Sequence, residues 1–333
     1  MHTPSIEGVV DAARQIAPAA VRTPLIEHPA LNEAVGGRVL LKAETLQVAG
    51  AFKFRGAYNR ISRLTDEEKT RGVVAYSSGN HAQGVAAAAS AVGTRALIVM
   101  PSDSPAVKVE GVRAFGGEVR FYDRWSESRE AIGAEIAAER GCVLVPPFDD
   151  PFIIEGQGTV GLEVLEQAGV PMDQILCGAS GGGLIAGINL VMAEQSPDTR
   201  VIVVEPDAFD DTRRSLAAGI RVGHPEGAPS ICDALMSPLP GELTWPINQR
   251  LAGAATVTDA EVAQAMRFAF RWLKLVIEPG GAVSLAALLS GKVEAKGLTT
   301  GVVLSGGNVD PDLFSAVIEE RFEGQTSLAG AGR

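Results

Sequence analysis

The chain has 333 residues, 46% hydrophobic and 21% charged, the balance of a soluble globular protein with core enough for two domains. Its 40 acidic against 29 basic residues give a formal charge of −11 with no Lys/Arg run, which argues against nucleic acid and acidic membrane surfaces as partners. Three scattered cysteines (Cys142, Cys177, Cys232) without a Cys-x-x-Cys pair argue against a disulfide framework or zinc site and fit a reducing cytoplasm, while neither a spanning apolar run nor a secretory pattern in residues 1–20 is present.

In chain order, residues 38–43 read as a short strand. The stretch Gly50-Ala51-Phe52-Lys53-Phe54-Arg55-Gly56-Ala57 then sets a lysine between two phenylalanines where a loop becomes a helix, since Phe54, Ala57, Tyr58 and Ile61 recur at i, i+3, i+4 and i+7. Lys53 falls in or just before the first turn, where the helix dipole and the flanking rings favour the neutral amine over the ammonium. A neutral amine is the form that attacks a carbonyl. The alternative is a stem that snorkels over the rings with its head in water.

From there strands and helices alternate. Strands are predicted at 73–76, 96–100, 119–122 and 142–145, and helices at 82–92, 106–115 and 126–140, with serine before and glycine after several of them. Such alternation implies βαβ units and a parallel sheet with right-handed crossovers. Pro146-Pro147-Phe148-Asp149-Asp150-Pro151 breaks the pattern and marks an internal boundary. Beyond it a helix is predicted at 158–167, a strand at 175–177, a helix at 184–193 and a strand at 201–204. Residues 206–255, rich in Pro, Gly and Asp, read as loops with short elements. Helical stretches at 259–274 and 281–289, a strand at 302–304 and a helix at 311–322 follow, ending in a frayed tail over 325–333. The predicted fold is α/β: two doubly wound open-sheet domains with mostly parallel strands.

Three polar-glycine clusters fall at predicted strand ends, where α/β sheets gather ligands: Ser77-Ser78-Gly79-Asn80-His81, Ser180-Gly181-Gly182-Gly183 and Ser305-Gly306-Gly307-Asn308. One alone is ordinary turn chemistry; three together point to one convergent site. The second cluster lies between strand and helix, so its backbone N–H groups suit a phosphate. It also matches two other patterns. Gly181-x-Gly183-x-x-Ala186 with Glu205 resembles a dinucleotide fingerprint, which would leave Lys53 and the Ser78 turn idle. Gly178-x-Ser180-x-Gly182 resembles a nucleophile elbow, but the one histidine downstream, His224, follows closely on Asp211 in a cramped order. The loop Glu205-Pro206-Asp207-Ala208-Phe209-Asp210-Asp211 supplies either hard oxygen ligands for Ca²⁺ or Mg²⁺ or a solvated acidic surface. His81 either caps its helix or holds a substrate carboxylate.

Together these motifs resemble the serine/threonine dehydratase and serine racemase family, pyridoxal-phosphate enzymes of the tryptophan-synthase-β-like fold, from about residue 20 to residue 320. The resemblance implies that Lys53 forms the Schiff base, with Phe52 near the cofactor ring and Asn80 on its 3-hydroxyl. Ser180, Gly181, Gly182 and Gly183 would hold the phosphate, and Ser305 would face the pyridine nitrogen. It assigns the substrate carboxylate to Ser77, Asn80 and His81, an acid/base role on the opposite face to Ser78, and a divalent-cation (Mg²⁺) site to Glu205, Asp211 and the main-chain carbonyl of Phe209. The family's larger domain would comprise 1–66 and 151–324, with 67–150 inserted as the smaller.

Ala51 and Ser180 depart from the family's usual serine and glycine, and Ser180 adds a hydroxyl to the phosphate loop. Phe148 resembles threonine dehydratases, whereas Arg129 matches an arginine of serine racemases and hydroxyaspartate dehydratases that would grip a second carboxylate. The implied function is elimination of water and ammonia from a β-hydroxy amino acid such as threonine, serine or 3-hydroxyaspartate. The alternatives are a serine or aspartate-type racemase with side elimination, and a non-catalytic pyridoxal-phosphate or nucleotide-binding protein. The expected partners are the amino-acid substrate and a second copy of the chain, and the C-terminal regulatory domain of biosynthetic threonine dehydratases is expected to be absent.

Overall fold

Short polar residues set the start of several helices. Ser5 accepts the Gly8 amide ahead of Ile6–Ile16, Thr65 and Glu68 form a reciprocal box ahead of Asp66–Arg71, and Ser128 caps Arg129–Arg140. Left-handed glycines end others, such as Gly93 after Asn80–Val92. The computed structural model describes residues 2–224 and 229–322; the predicted tail lies outside them.

The strands are β1 (Leu25–Glu27), β2 (Arg38–Ala43), β3 (Val73–Tyr76), β4 (Ala96–Pro101), β5 (Glu118–Tyr122), β6 (Val143–Leu144), β7 (Gln174–Gly178), β8 (Arg200–Pro206), β9 (Gly253–Val257) and β10 (Thr299–Leu304). They form a larger sheet in the order β1-β2-β10-β7-β8-β9, in which only β1 runs antiparallel, and a smaller parallel sheet in the order β5-β4-β3-β6. Alternate side chains of the larger sheet feed two cores. Leu41, Leu176, Val204 and Val302 pack with Val283 and Leu285 on one face, while Leu40, Ile175, Val203 and Val303 pack with Val160, Ile185 and Ile188 on the other. The smaller sheet does the same, with Ala75, Ile98 and Met100 against Val85 and Ala86, and Val74 and Val99 against Ile132 and Ile136.

The structure departs from the sequence expectations at several elements. The turn at 146–151 is a helix start: Asp150 accepts the Ile153 amide at 3.1 Å and Pro151 is the first residue of Pro151–Ala168, seven residues ahead of the predicted 158. Residues 206–255 keep to the expected loops with short elements, which are the helices Asp211–Ala218 and Trp245–Asn248 and the start of the edge strand β9. The predicted helix 259–274 is α-helical only over Asp259–Phe268, continues as a π turn over Ala269–Leu273 and stops at left-handed Lys274. The N-terminal Ile6–Ile16 helix, β1 and the Pro29–Val35 helix lie where no element is predicted.

Behind the Lys53 turn lies a closed ionic cluster. The fully buried Arg55 guanidinium donates to Glu44 twice at 2.8 Å, to Glu163 at 2.7 and 2.9 Å, to Thr159 at 3.2 Å and to the Val21 carbonyl at 3.3 Å. Lys42 Nζ donates to Glu163 Oε2, an oxygen it shares with Arg55, at 2.5 Å, to Gln167 at 2.8 Å and to the Thr23 carbonyl at 2.7 Å. Two cations against two carboxylates, with the donors occupied, fasten the Lys53–Ile61 helix to β2 and to Pro151–Ala168.

Candidate active site

Lys53 is the first residue of its helix, whose opening turn carries no acid. Its amine donates to the Pro147 carbonyl at 2.7 Å and stands 5.1 Å from the Phe52 ring centroid. The side chain keeps partial access to the cleft, but the surrounding protein desolvates the ammonium and pushes its pKa down to about 8. The position is fixed from below: Phe52 N–H donates to the Ser305 carbonyl at 3.1 Å, and Ala51 bridges Gly306. The β10 end and the lysine are thereby laced together.

The turn after β3 closes on the same place. Ser77 Oγ accepts the Gly79 amide at 3.1 Å, Ser78 sits half-buried beside it, and the helix Asn80–Val92 begins next. Asn80 is clamped at both ends of its amide: Nδ2 donates to Glu278 Oε1 at 2.5 Å, and Oδ1 accepts from Asn308 Nδ2 at 2.9 Å. Asn308 also donates to the Ala49 carbonyl at 2.7 Å, tying the third cluster to the Lys53 loop. Glu278 is buried, and burial together with Asp233 pushes its carboxyl up to about 8.

His81 is buried, and burial together with Lys53 pushes its pKa down to about 3, so the ring is neutral. Its Nε2 lies 2.9 Å from the Val145 carbonyl, an acceptor, so the ring proton belongs on Nε2. Nδ1, buried without a partner among the described residues, then offers only a lone pair. The ring cannot donate to a carboxylate; a contact of that kind falls to the free amides of the helix's first turn.

In the glycine-rich cluster, Gly182 has φ 88° and the helix Gly183–Gln195 begins immediately after it. A Cβ at Gly181 would lie 2.3 Å from the Phe148 ring, and one at Gly183 would lie 3.1 Å from Phe148 Cβ, so Phe148 roofs the loop and requires its glycines. Ser180 Oγ already accepts the Ser237 amide at 3.1 Å, which leaves its hydroxyl proton to donate. Ser305, buried, closes the third cluster.

Two groups stand apart. Arg129, partly exposed, bonds its neighbour Glu130 at 2.7 Å and lies 5.7 Å over the Tyr76 ring, one residue before the Ser77 turn, at the margin of the site. The acidic loop forms a separate pocket. Glu205 accepts the Thr212 and Arg213 amides at 3.0 and 2.9 Å, while both oxygens of Asp211 are buried without a partner among the described residues. Burial pushes Glu205 up to about 7, and burial together with the Glu205 charge pushes Asp211 up to about 8. Phe209 packs edge-on against His224 at 4.5 Å. Among the described residues no three His, Cys, Asp or Glu side chains converge as metal ligands, so a cation here would take two carboxylates and main-chain oxygen. An orphaned buried carboxylate beside a second fits that chemistry.

Contacts tie the Lys53 loop to the third cluster through Ser305 and Asn308, to the first through Asn308 and Asn80, and to the second through Pro147 and its neighbour Phe148. Sequence reasoning missed Glu278, Asn308 and the Pro147 carbonyl. Glu278 carries no periodic or motif signal, and Asn308 appeared only as the end of a glycine turn.

A neutral-leaning, partly exposed amine beside an aromatic ring, bonded to the residue before the Phe148 that roofs a glycine-rich helix N-terminus, fits an aldehyde cofactor that carries a phosphate. The family model described as pyridoxal-phosphate dependent enzyme matches residues 16–306. The chain is 40% identical over 320 residues to L-threo-3-hydroxyaspartate ammonia-lyase of Pseudomonas sp, covering 96% of this chain and 100% of that protein. Among solved structures, maize serine racemase superposes with a TM-score of 0.90 at 38% identity, covering 97% of this chain and 99% of that one. A threonine deaminase from T.th. superposes with a TM-score of 0.87 at 42% identity, covering 92% and 99%. With a family match over most of its length and these relatives spanning nearly all of it, the chain belongs to the pyridoxal-phosphate-dependent enzymes, on the fold that serine racemase and threonine deaminase share.

Proposed function

We propose that this protein is an ammonia-lyase that removes water and ammonia from a β-hydroxy amino acid, releasing a 2-oxo acid. The observation that carries the reading is Lys53, an amine held toward its neutral form beside the three polar-glycine clusters. Bound pyridoxal phosphate supplies the electron sink at the substrate's Cα. Lys53 would attach the cofactor and serve as general base at the substrate's Cα. Ser180 to Gly183 would hold the phosphate, Asn80 the 3-hydroxyl and Ser305 the pyridine nitrogen, with Phe52 beside the ring. Ser77, Asn80 and the first-turn amide of His81 receive the substrate carboxylate. Mg²⁺ is the proposed occupant of the Glu205, Asp211 and Phe209-carbonyl site, remote from the chemistry.

The substrate reading favours 3-hydroxyaspartate, supported by the hydroxyaspartate ammonia-lyase similarity and by Arg129 near the Ser77 turn. Arg129→Ala is expected to lose activity on the dicarboxylate at least tenfold more than on threonine, as the loss of one charge-assisted pair would. Equal losses on both would remove the second-carboxylate role. A second reading, racemisation of serine, rests on Ser78, which stands in the turn beside the site and would serve the face opposite Lys53. Chiral chromatography of serine after incubation separates it from elimination.

The proposed division into 1–66 with 151–324 and an inserted 67–150 is supported by β3 to β6 forming a sheet of their own. A homodimer is supported by the exposed apolar residues Leu46, Phe270, Trp272 and Val276. A reducing, cytoplasmic setting is supported by three buried, unpaired cysteines; among the described residues no helix is long and apolar enough to cross a membrane.

A further inference from the structure

Two carbonyl oxygens of the glycine cluster are held from one side. Gly181 O accepts the Gly241 amide at 3.1 Å and the Thr244 hydroxyl at 2.6 Å. Gly182 O accepts Asn248 Nδ2 at 3.1 Å as well as the Ala186 amide of its own helix at 2.9 Å. In a planar trans peptide the C=O of one residue and the N–H of the next point in opposite directions. Fixing the Gly181 and Gly182 carbonyls toward Thr244 and Asn248 therefore turns the Gly182 and Gly183 amides the other way, alongside the open amides of the helix's first turn. That is the arrangement an anion needs.

Two further observations set these side chains apart from ordinary packing. Thr244 and Asn248 are both buried, yet Asn248 Oδ1 has no partner among the described residues. Half of a buried amide is left unsatisfied to keep one donor on Gly182, where a leucine would fill the space without that penalty. The fit is also tight: a Cβ on Gly182 would lie 2.4 Å from Asn248 Nδ2. The segment that presents the pair is itself fastened. Asp149 accepts the Glu242 and Leu243 amides at 2.8 and 3.0 Å, and Asn189 Nδ2 donates to the Ile247 carbonyl at 3.0 Å. Asp149 lies in the same turn as Pro147, which holds Lys53, and Phe148, which roofs the glycines.

We infer that residues 237–248 form a clasp that presets the phosphate loop, and that Thr244 and Asn248 are positioning residues for the cofactor phosphate, acting through the Gly181 and Gly182 carbonyls. The inference rests on the cofactor reading above and adds to it two side chains that do not themselves meet the cofactor. Its signature is selectivity for the phosphate group, which general loosening of the fold does not produce.

The test strips purified holoenzyme of cofactor and titrates it with pyridoxal phosphate or with pyridoxal, which lacks the phosphate, following bound-cofactor absorbance. Thr244→Val and Asn248→Leu are each expected to weaken pyridoxal phosphate about tenfold while pyridoxal changes by less than about twofold, the loss of one buried hydrogen bond being of that order. Thr244→Ser, which keeps the hydroxyl, is expected to bind both as the parent does. An unchanged ratio, or equal losses for the two ligands, overturns the clasp. Should Thr244→Val fail to fold, Asn248→Leu decides alone, because leucine keeps the number and branching of asparagine's heavy side-chain atoms while removing its donor. A parent protein that binds neither ligand would instead sink the cofactor reading, and the clasp with it.

Discussion

Lys53 and Glu278 are opposite in charge type, and the fold moves both toward their neutral forms, Lys53 from 10.5 down to about 8 and Glu278 from 4.5 up to about 8. Desolvation is the largest cause in each. For Lys53 the reactive species is the amine, so below about pH 8 its population rises tenfold per pH unit and above it levels off. Capture of pyridoxal phosphate by the cofactor-free protein should follow that curve, read as the rate of absorbance gain against pH; a curve still rising between pH 9 and 10 would place Lys53 in an ordinary solvated setting. For Glu278 the raised folded-state value means its stability contribution is fully present below about pH 4.5 and is lost as pH rises through about 8. Glu278→Gln, permanently neutral and still able to accept from Asn80, should therefore unfold at a higher temperature relative to the parent at pH 8 than at pH 5. A constant offset across that range would mean that Glu278 does not titrate there.

The elements that carry these residues are held by interactions of unequal worth. Arg55 serves two buried or nearly buried carboxylates two residues beyond Lys53, and removing it strands Glu44 at zero exposure. Arg55→Met should cost about 3–5 kcal/mol in denaturant titration, whereas cutting the exposed Arg22–Glu166 pair should cost less than about 1 kcal/mol. Similar losses for the two would mean that the cluster is not dry. The helices Pro151–Ala168 and Gly183–Gln195 meet through bare backbone. A Cβ on Gly187 would lie 2.5 Å from Gly158 N and 2.5 Å from the Ile154 carbonyl. Gly187→Ala should destabilise by about 1–3 kcal/mol through overpacking, measured as a lower denaturant midpoint with an unchanged m-value; no loss would mean that the helices slide apart freely. Asp150 and Pro151 explain why the boundary turn misled the reading from sequence. Proline reads as a breaker, but at the first helical position its missing N–H needs no partner.

At the scale of the whole molecule, Lys108 of the Ala106–Ala114 helix forms an ion pair with Asp233, 125 residues further along the chain. Both sheets were legible because their central strands are apolar runs broken by glycine turns, and so were Lys53 and the three clusters, whose residue types are costly to place without a ligand. β9, with the small residues Gly253-Ala254-Ala255, and the three-residue β1 give no such signal and lie at sheet edges. Glu278, Thr244 and Asn248 were illegible for a different reason: each acts through a contact between residues far apart in the chain, which no local pattern encodes.

The central claim is that Lys53 makes this chain an ammonia-lyase. Purified parent protein and Lys53→Ala, supplied with pyridoxal phosphate, are assayed for ammonia and 2-oxo acid from 3-hydroxyaspartate, threonine and serine. The account predicts equimolar release of both products by the parent and a loss of about a thousandfold or more in Lys53→Ala, as expected when both the cofactor anchor and the general base are removed. Ammonia release that survives the substitution undiminished, or its absence from the parent on all three substrates, would contradict it.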